Sequence, residues 1–414
     1  FDQVHAYTGA TTISGGELKI GSSGSLSNQT AVVVDNGATY ALGADDEVRS
    51  IEGAGSINLG SFRLTSGRDD SNKTFSGSIS GEGGLTKSGT GKLTLTGAKS
   101  YTGATTINAG TLESEGSAMS SAVEVAAGAT YEIDLLSASD TATYSKSISG
   151  AGSFLKSGAG ALTFDQVHAY TGATTISGGE LTVSSNGSLS DSTVVDVQSG
   201  IYRLGSTDTI AGLKGAGSVD LTSHVLTVGS NDAASKFSGV IYGAGGLTKI
   251  GSEVFELAGR NTYTGPTLIN GGSLFVNGSL SDDTEISNNS SFFQIGNDGI
   301  KIDVASGIAT QLDAINDPTP ETPASLKKTG DGKLSLNGDS TYTGTTLING
   351  GSLFVNGSLS DQTDVVVREG ATYELGADDQ VGSIAGSGAI SLGASTLTAG
   401  GATDKEFGGV VSGT

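Results

Sequence analysis

At 414 residues the chain is long enough for two or three globular domains, yet 67 glycines, a single methionine and no tryptophan or cysteine argue against ordinary cores and exclude a disulfide framework. A formal net charge of −22, with 21 dispersed lysines and arginines, excludes phosphate-directed nucleic-acid binding, and no apolar run is long enough to cross a membrane as a helix. The 35% of hydrophobic residues fall in short alternating runs, which excludes a solvated coil.

Taken in order, Tyr7-Thr-Gly-Ala-Thr-Thr-Ile-Ser-Gly-Gly-Glu-Leu18 begins with β-branched residues and ends about a Gly-Gly turn, which predicts strand, turn, strand. Ala31-Val-Val-Val-Asp35 and Ala38-Thr-Tyr-Ala-Leu42 follow as two more short strands around Asn36-Gly37. Ile51, Ile57, Leu59 and Leu64 are punctuated by Gly53, Gly55 and Gly60, and Phe75 and Ile79 lead into a block from Leu85 to Leu112. No helical periodicity of useful length occurs on the way.

That block returns three times at constant length, from Phe154 to Leu181, Leu247 to Leu274 and Leu326 to Leu353, always spanning 27 positions. Each copy carries a lysine (Lys87, Lys156, Lys249, Lys328) 14 positions before a tyrosine (Tyr101, Tyr170, Tyr263, Tyr342), and Thr-Gly follows each tyrosine. Residues 164–181 are identical to residues 1–18, and Ala371 to Asp379 matches Ala38 to Asp46 except at one position. The spacers vary: the short one between Leu112 and Phe154 lacks a unit of about 25 residues equivalent to Glu47 through Asp70. A closed sheet would lose strand partners with such a piece, whereas a solenoid loses one coil, because each coil touches only its neighbours.

The expected fold is therefore all-β, a right-handed parallel β-helix of roughly 17 to 20 coils and on the order of 80 to 95 Å long. Inward Ile, Leu and Val stack in a dry column, with Leu93, Leu95, Ile107 and Leu112 among them, and Gly and Asn take the corners. A β-propeller or a string of β-sandwiches would predict constant repeat lengths and more aromatic residues. The chain reads as one continuous solenoid, 1–414, with internal modules at about 1–100, 101–163, 164–262, 263–341 and 342–414. Residues 297–325 carry three of the four prolines and an Ile308, Leu312, Ile315 spacing suited to about two helical turns, so this stretch is expected to loop out of the ladder. Phe1 and Thr414 fall inside repeat units, which predicts that the sequence is an internal stretch of a longer chain.

Gly83-Gly-Leu-Thr-Lys-Ser-Gly-Thr-Gly-Lys-Leu-Thr-Leu-Thr-Gly97, followed by Tyr101-Thr-Gly-Ala-Thr-Thr-Ile-Asn-Ala-Gly-Thr-Leu112, resembles the passenger-associated repeat of bacterial type V autotransporters. The resemblance implies a β-helical passenger displayed on the bacterial cell surface, anchored through an outer-membrane barrel that this sequence does not contain, or secreted. Many such passengers are adhesins that aggregate cells or build biofilm. The expected function is thus a non-enzymatic adhesin, with homotypic self-association as the expected partnership and a host-surface glycan or matrix protein as the other. A passive stalk and a polysaccharide-processing β-helix enzyme are the alternatives.

The sequence nominates no catalytic, cofactor-binding or metal-ligating residue and no cofactor. His5 and His168 occupy the same position in duplicated sequence, which reads as architecture, and His224 stands apart. The pairs Asp45-Asp46 and Asp378-Asp379, with Thr207 and Asp208 at the corresponding positions, read as solvated turns, with weak Ca²⁺ bridging as the alternative. The repeated lysines read as solvated charges beside corners, which also blunt lateral strand pairing.

Overall fold

The computed structural model describes residues 1–232, 234–276, 278, 280, 284, 286–288, 292–295, 300–303, 309–312, 325–400 and 405–414. It is an all-β parallel solenoid of about 18 turns among the described residues. The chain divides into two compact units, Phe1–Ser206 and Thr207–Thr414.

In the first unit one ladder runs through Thr11–Ile13, Ala31–Val34, Ser50–Gly53, Lys73–Phe75, Lys92–Leu95, Thr111–Glu115, Thr130–Asp134, Ser153–Ser157, Thr174–Ile176 and Val194–Val197. Shorter ladders complete the coils, among them Leu64–Ser66, Leu85–Lys87, Thr105–Ile107 and Val123–Val125. The second unit is built alike, with one ladder through Val254–Leu257 and Ser273–Val276 and others through Leu326–Thr329, Thr346–Ile348, Asp364–Val367 and Ser383–Gly386. One coil takes from 17 residues, where Thr39 pairs with Ser56, to 26, where Ile300 pairs with Leu326.

Alternation sets the facing. Leu93, Leu95, Ile107 and Leu112 are all buried as expected, while Lys92 and Thr94 between them point outward and stay partly exposed. The core is more aromatic than composition suggested. Nine of the 11 tyrosines are fully buried, and Leu112, Tyr131 and Phe154 lie side by side on successive coils, with 5.9 Å between the last two rings. At corners the backbone of the preceding coil leaves no room for a side chain: Gly53 has φ 113°, and a Cβ there would lie 2.2 Å from the Val34 carbonyl oxygen.

The constant length of the block has a structural cause, because each copy pairs with itself. Leu85 lies beside Thr105 and Leu93 beside Leu112, and the same holds for Phe154 with Thr174 and Leu162 with Leu181. Leu247 with Thr267 and Phe255 with Leu274 follow suit, as do Leu326 with Thr346 and Leu334 with Leu353. A residue added inside the block would break two pairings at once, whereas the spacers carry no such internal constraint.

Residues 297–325 correct an expectation in part. Ile300–Asp303 and Ala309–Leu312 are strands that pair in parallel with Leu326–Thr329 and Lys333–Leu336, so eight residues of the stretch lie in ladders and Leu312 ends a strand, not a helical turn. Four-residue runs such as Ile-Lys-Ile-Asp suit a pleated ladder at least as well as a helix face. Ile308, Ile315 and the prolines at 318, 320 and 323 lie outside the described residues.

Candidate functional site

The repeated lysines are buried, not solvated. Lys87, Lys156, Lys249 and Lys328 are each at most 2% exposed, and each ammonium donates to three backbone carbonyls. Lys87 Nζ reaches the oxygens of Ser88 at 2.7 Å, Gly89 at 2.8 Å and Ala109 at 3.2 Å. The other three bind the next two residues and a glycine 22 positions on, Gly178, Gly271 or Gly350. Each lysine therefore ties one corner to the corner of the following coil within its own block. Burial pulls the Lys87 and Lys156 pKa values down to about 8, so at neutral pH both remain charged and use all three donors. Being inward, they cannot blunt lateral strand pairing.

The tyrosine of each block closes the same turn. The Tyr101 hydroxyl lies 2.6 Å from Thr105 Oγ1, which is 2.7 Å from Ser121 Oγ on the next coil. Tyr170 meets Thr174 at 2.5 Å and Tyr263 meets Thr267 at 2.5 Å, and Tyr342 pairs with Thr346. Tyr101→Phe removes one neutral hydroxyl while Thr105 keeps Ser121 as a partner, so a stability loss of about 1 kcal/mol is expected from denaturant midpoints.

Asp46 and Asp379 are also corrected, for both are buried. Tyr40 and Tyr373 donate their hydroxyls to them, and the Leu26 and Leu359 amides donate at 2.9 Å each. Burial raises both carboxyl pKa values in spite of these donors. Asp208 is buried at the corresponding place. Their neighbours do lie at the surface, where Asp45 accepts from the Arg63 amide at 2.8 Å and Asp378 from the Thr396 amide at 2.7 Å. The two carboxylates of each pair thus face opposite sides of the chain and cannot chelate one ion.

Among the described residues one acidic group has ligand-like spacing, Glu113, Glu132 and Asp134, with carboxylate oxygens within 4.8 Å of one another. Lys92 already lies there, paired with Glu113 and, at 2.9 Å, with Glu132. Partial burial lowers the Lys92 pKa, but its bonds to the two glutamates outweigh this and raise it. The histidines are not assembled into a site: His5 is half-buried beside Phe1 and Tyr7, His168 is buried in aromatic surroundings, and His224 Nδ1 lies 2.8 Å from Thr222 Oγ1.

What recurs on the outside is a polar lattice. Glu47, Thr65, Thr86, Thr106 and Glu124 form one row across successive coils, in which Thr86 is buried and accepts from the Arg63 guanidinium at 3.3 Å, and Thr143, Thr163, Thr182 and Arg203 form another. The second unit repeats the motif with Thr209, Thr227 and Thr248. Ladder spacing sets these side chains about 4.8 Å apart along each row. Some charges of the outer surface are paired, as in Arg203 with Glu180 at 2.9 Å and Lys236 with Glu256 at 2.8 Å.

The passenger-associated-transport-repeat family model matches residues 5–20, 85–113, 154–183, 247–275 and 326–354, which are the four self-paired blocks and the partial copy before them. The chain is 31% identical over 311 residues to the adhesin BmaC autotransporter of Brucella suis biovar 1, a match covering 64% of this chain and 9% of that protein. The chain carries the repeats of type V autotransporter passenger domains. A second relative, the Neisserial autotransporter lipoprotein NalP of Neisseria meningitidis serogroup B, is 45% identical over 60 residues, covering 14% of this passenger and 6% of that protein. The passenger spans less than a tenth of the length of these relatives, and no solved structure matches it. Its family repeats coincide with the lysine-stapled blocks, so the family signature marks what holds coils together, and the outward rows lie beside it.

Proposed function

We propose that this passenger is part of a bacterial cell-surface adhesin, non-enzymatic, that joins cells by homotypic contact along its repeated polar face. The observation that carries the reading is the outward lattice of threonine, glutamate and arginine rows held at ladder spacing in both units. The similarity to a protein named an adhesin supports it. Two copies at −22 each repel at long range, and the Debye length of about 8 Å at physiological ionic strength confines attraction to close approach. There, many hydrogen bonds of about 1 kcal/mol each act together because the donors and acceptors repeat at one spacing.

Displaying the chain on non-adherent cells and following settling across ionic strength tests this. Clumping is expected at physiological salt and weakens at very low salt, where repulsion lengthens. Changing Thr65, Thr106 and Glu124 together weakens it by severalfold, whereas one change does little. Cells that settle no faster than controls would leave a passive stalk, and settling only onto a coated glycan or matrix protein would replace the homotypic partner with a host one.

A further inference from the structure

We infer that the coil carrying His168 is an acid-sensitive joint, in which uptake of a second proton by the buried imidazole loosens the packing between Tyr144 and Tyr170. The geometry assigns the tautomer. His168 is 1% exposed, and its Nδ1 accepts the Ile148 amide proton from the preceding coil at 3.1 Å, so its single proton sits on Nε2, which is buried without a hydrogen-bond partner. Around the ring lie Phe164, with centroids 4.0 Å apart, Tyr144, stacked at 6.0 Å, and Tyr170 at 6.2 Å.

A proton arriving at Nδ1 sets two donors, imidazolium and amide, head to head and leaves the Ile148 N–H without an acceptor. It also buries a charge with no counter-ion. The titratable groups packed against the ring are the Tyr144 and Tyr170 phenols, which bond to the Ser121 carbonyl and to Thr174 and stay neutral in acid. Asp165, three residues away, is engaged with Ser184 at 2.5 Å and Asn186 at 3.4 Å, and Lys146 is exposed. Burial alone drives the His168 pKa down to about 4. With the folded value below the unfolded one, the unfolded chain takes up the proton first, so this coil loses stability as pH falls from about 6.5 towards 4.

The same slot, two residues before the block tyrosine, shows how other residues meet its demands without titrating in acid. Asn261 Oδ1 accepts the Ile241 amide at 3.0 Å and its Nδ2 donates to the Gly259 carbonyl at 3.0 Å. Lys99 instead donates to the carbonyls of Leu95, Gly97 and Glu115. The Asn261 coil is therefore an internal control in the same molecule.

Hydrogen exchange on the 414-residue chain tests the inference, reading the amides of Ile148 and Ala169 against those of Ile241 and Thr262 so that the intrinsic pH dependence cancels. The ratio is expected to rise on the order of tenfold between pH 7 and pH 5, and His168→Asn abolishes the rise. An unchanged ratio in the natural chain, or an equal rise in the Asn variant, overturns it. Should the variant fold poorly, imidazole nitrogen shifts of the natural chain serve: a neutral ring protonated on Nε2 at pH 5.5 supports the inference, and an imidazolium at that pH with exchange unaltered refutes it.

Discussion

Lys87→Met is expected to lower the stability of its block by about 3 kcal/mol, because it takes the charged donor from the half-buried Ser88, Gly89 and Ala109 carbonyls while replacing only the stem of the side chain. Two effects oppose each other here. Removing the ammonium spares its desolvation, but each carbonyl deprived of a charged donor costs about 1 to 3 kcal/mol, and three such losses outweigh the gain. The pH dependence gives a second reading. An unfolded lysine keeps its proton to about 10.4, whereas Lys87 and Lys156 release theirs near 8 in the folded chain. Between these values the unfolded state binds more protons, so these residues make stability rise with pH from about 8 to 10. Above that, buried phenols such as Tyr101, pushed up to about 12, favour the unfolded chain and reverse the slope. Denaturant midpoints at pH 7.5, 8.5 and 9.5 should climb in the natural chain, and the double variant Lys87→Met, Lys156→Met should climb less. Equal slopes would show that the two lysines hold their protons alike in the folded and unfolded chain.

The largest expected effect comes from cutting the chain out of phase. Ser56 pairs with Thr39 behind it and Ser78 ahead of it, so deleting residues 56–77 brings Ser78 into the place of Ser56. The flanking ladders close in the same way, with Gly53 meeting Leu95 in place of Phe75 and Asp46 meeting Leu85 in place of Leu64. The shortened chain should fold and melt cooperatively, one coil smaller. Deleting only 56–66 should abolish folding of the coils around it. An odd number of residues is then missing, the inward set turns outward, and no strand is left to meet Tyr40 and Ile79. Circular dichroism, melting curves and limited proteolysis distinguish the two. Comparable stability of both deletions would mean that coil register is not what holds the fold.

The architecture was legible because its signals are local. Glycine at corners, inward Leu and Ile at every second position and a constant block length each constrain the chain without knowledge of distant residues. The lysine staples were legible too, on a signal that the charge obscured. Lys87 stands two residues after inward Leu85, hence on the same side of its strand, and Lys156 stands likewise after Phe154. Parity places both inward, while residue type suggests water. Asp46 and Asp379 needed more, since what makes their burial tolerable is a tyrosine six residues earlier and an amide 20 residues away on another coil. The outward rows were harder still. Ser and Thr satisfy a solvated ladder in many arrangements, so the pattern fixes which side chains point outward and nothing finer.

The self-pairing of each block has a consequence at the level of the gene. Residues 1–18 and 164–181 are identical, and both copies meet their neighbours alike: Thr11 beside Val32 and Thr174 beside Val195, Leu18 beside Tyr40 and Leu181 beside Tyr202. Unequal recombination between the two coding stretches would remove or add the intervening segment at structurally equivalent points, and the junction would fall in register without further adjustment. Array length can then drift between generations while every daughter protein still closes its coils, so selection can act on the number of coils with little risk to the fold.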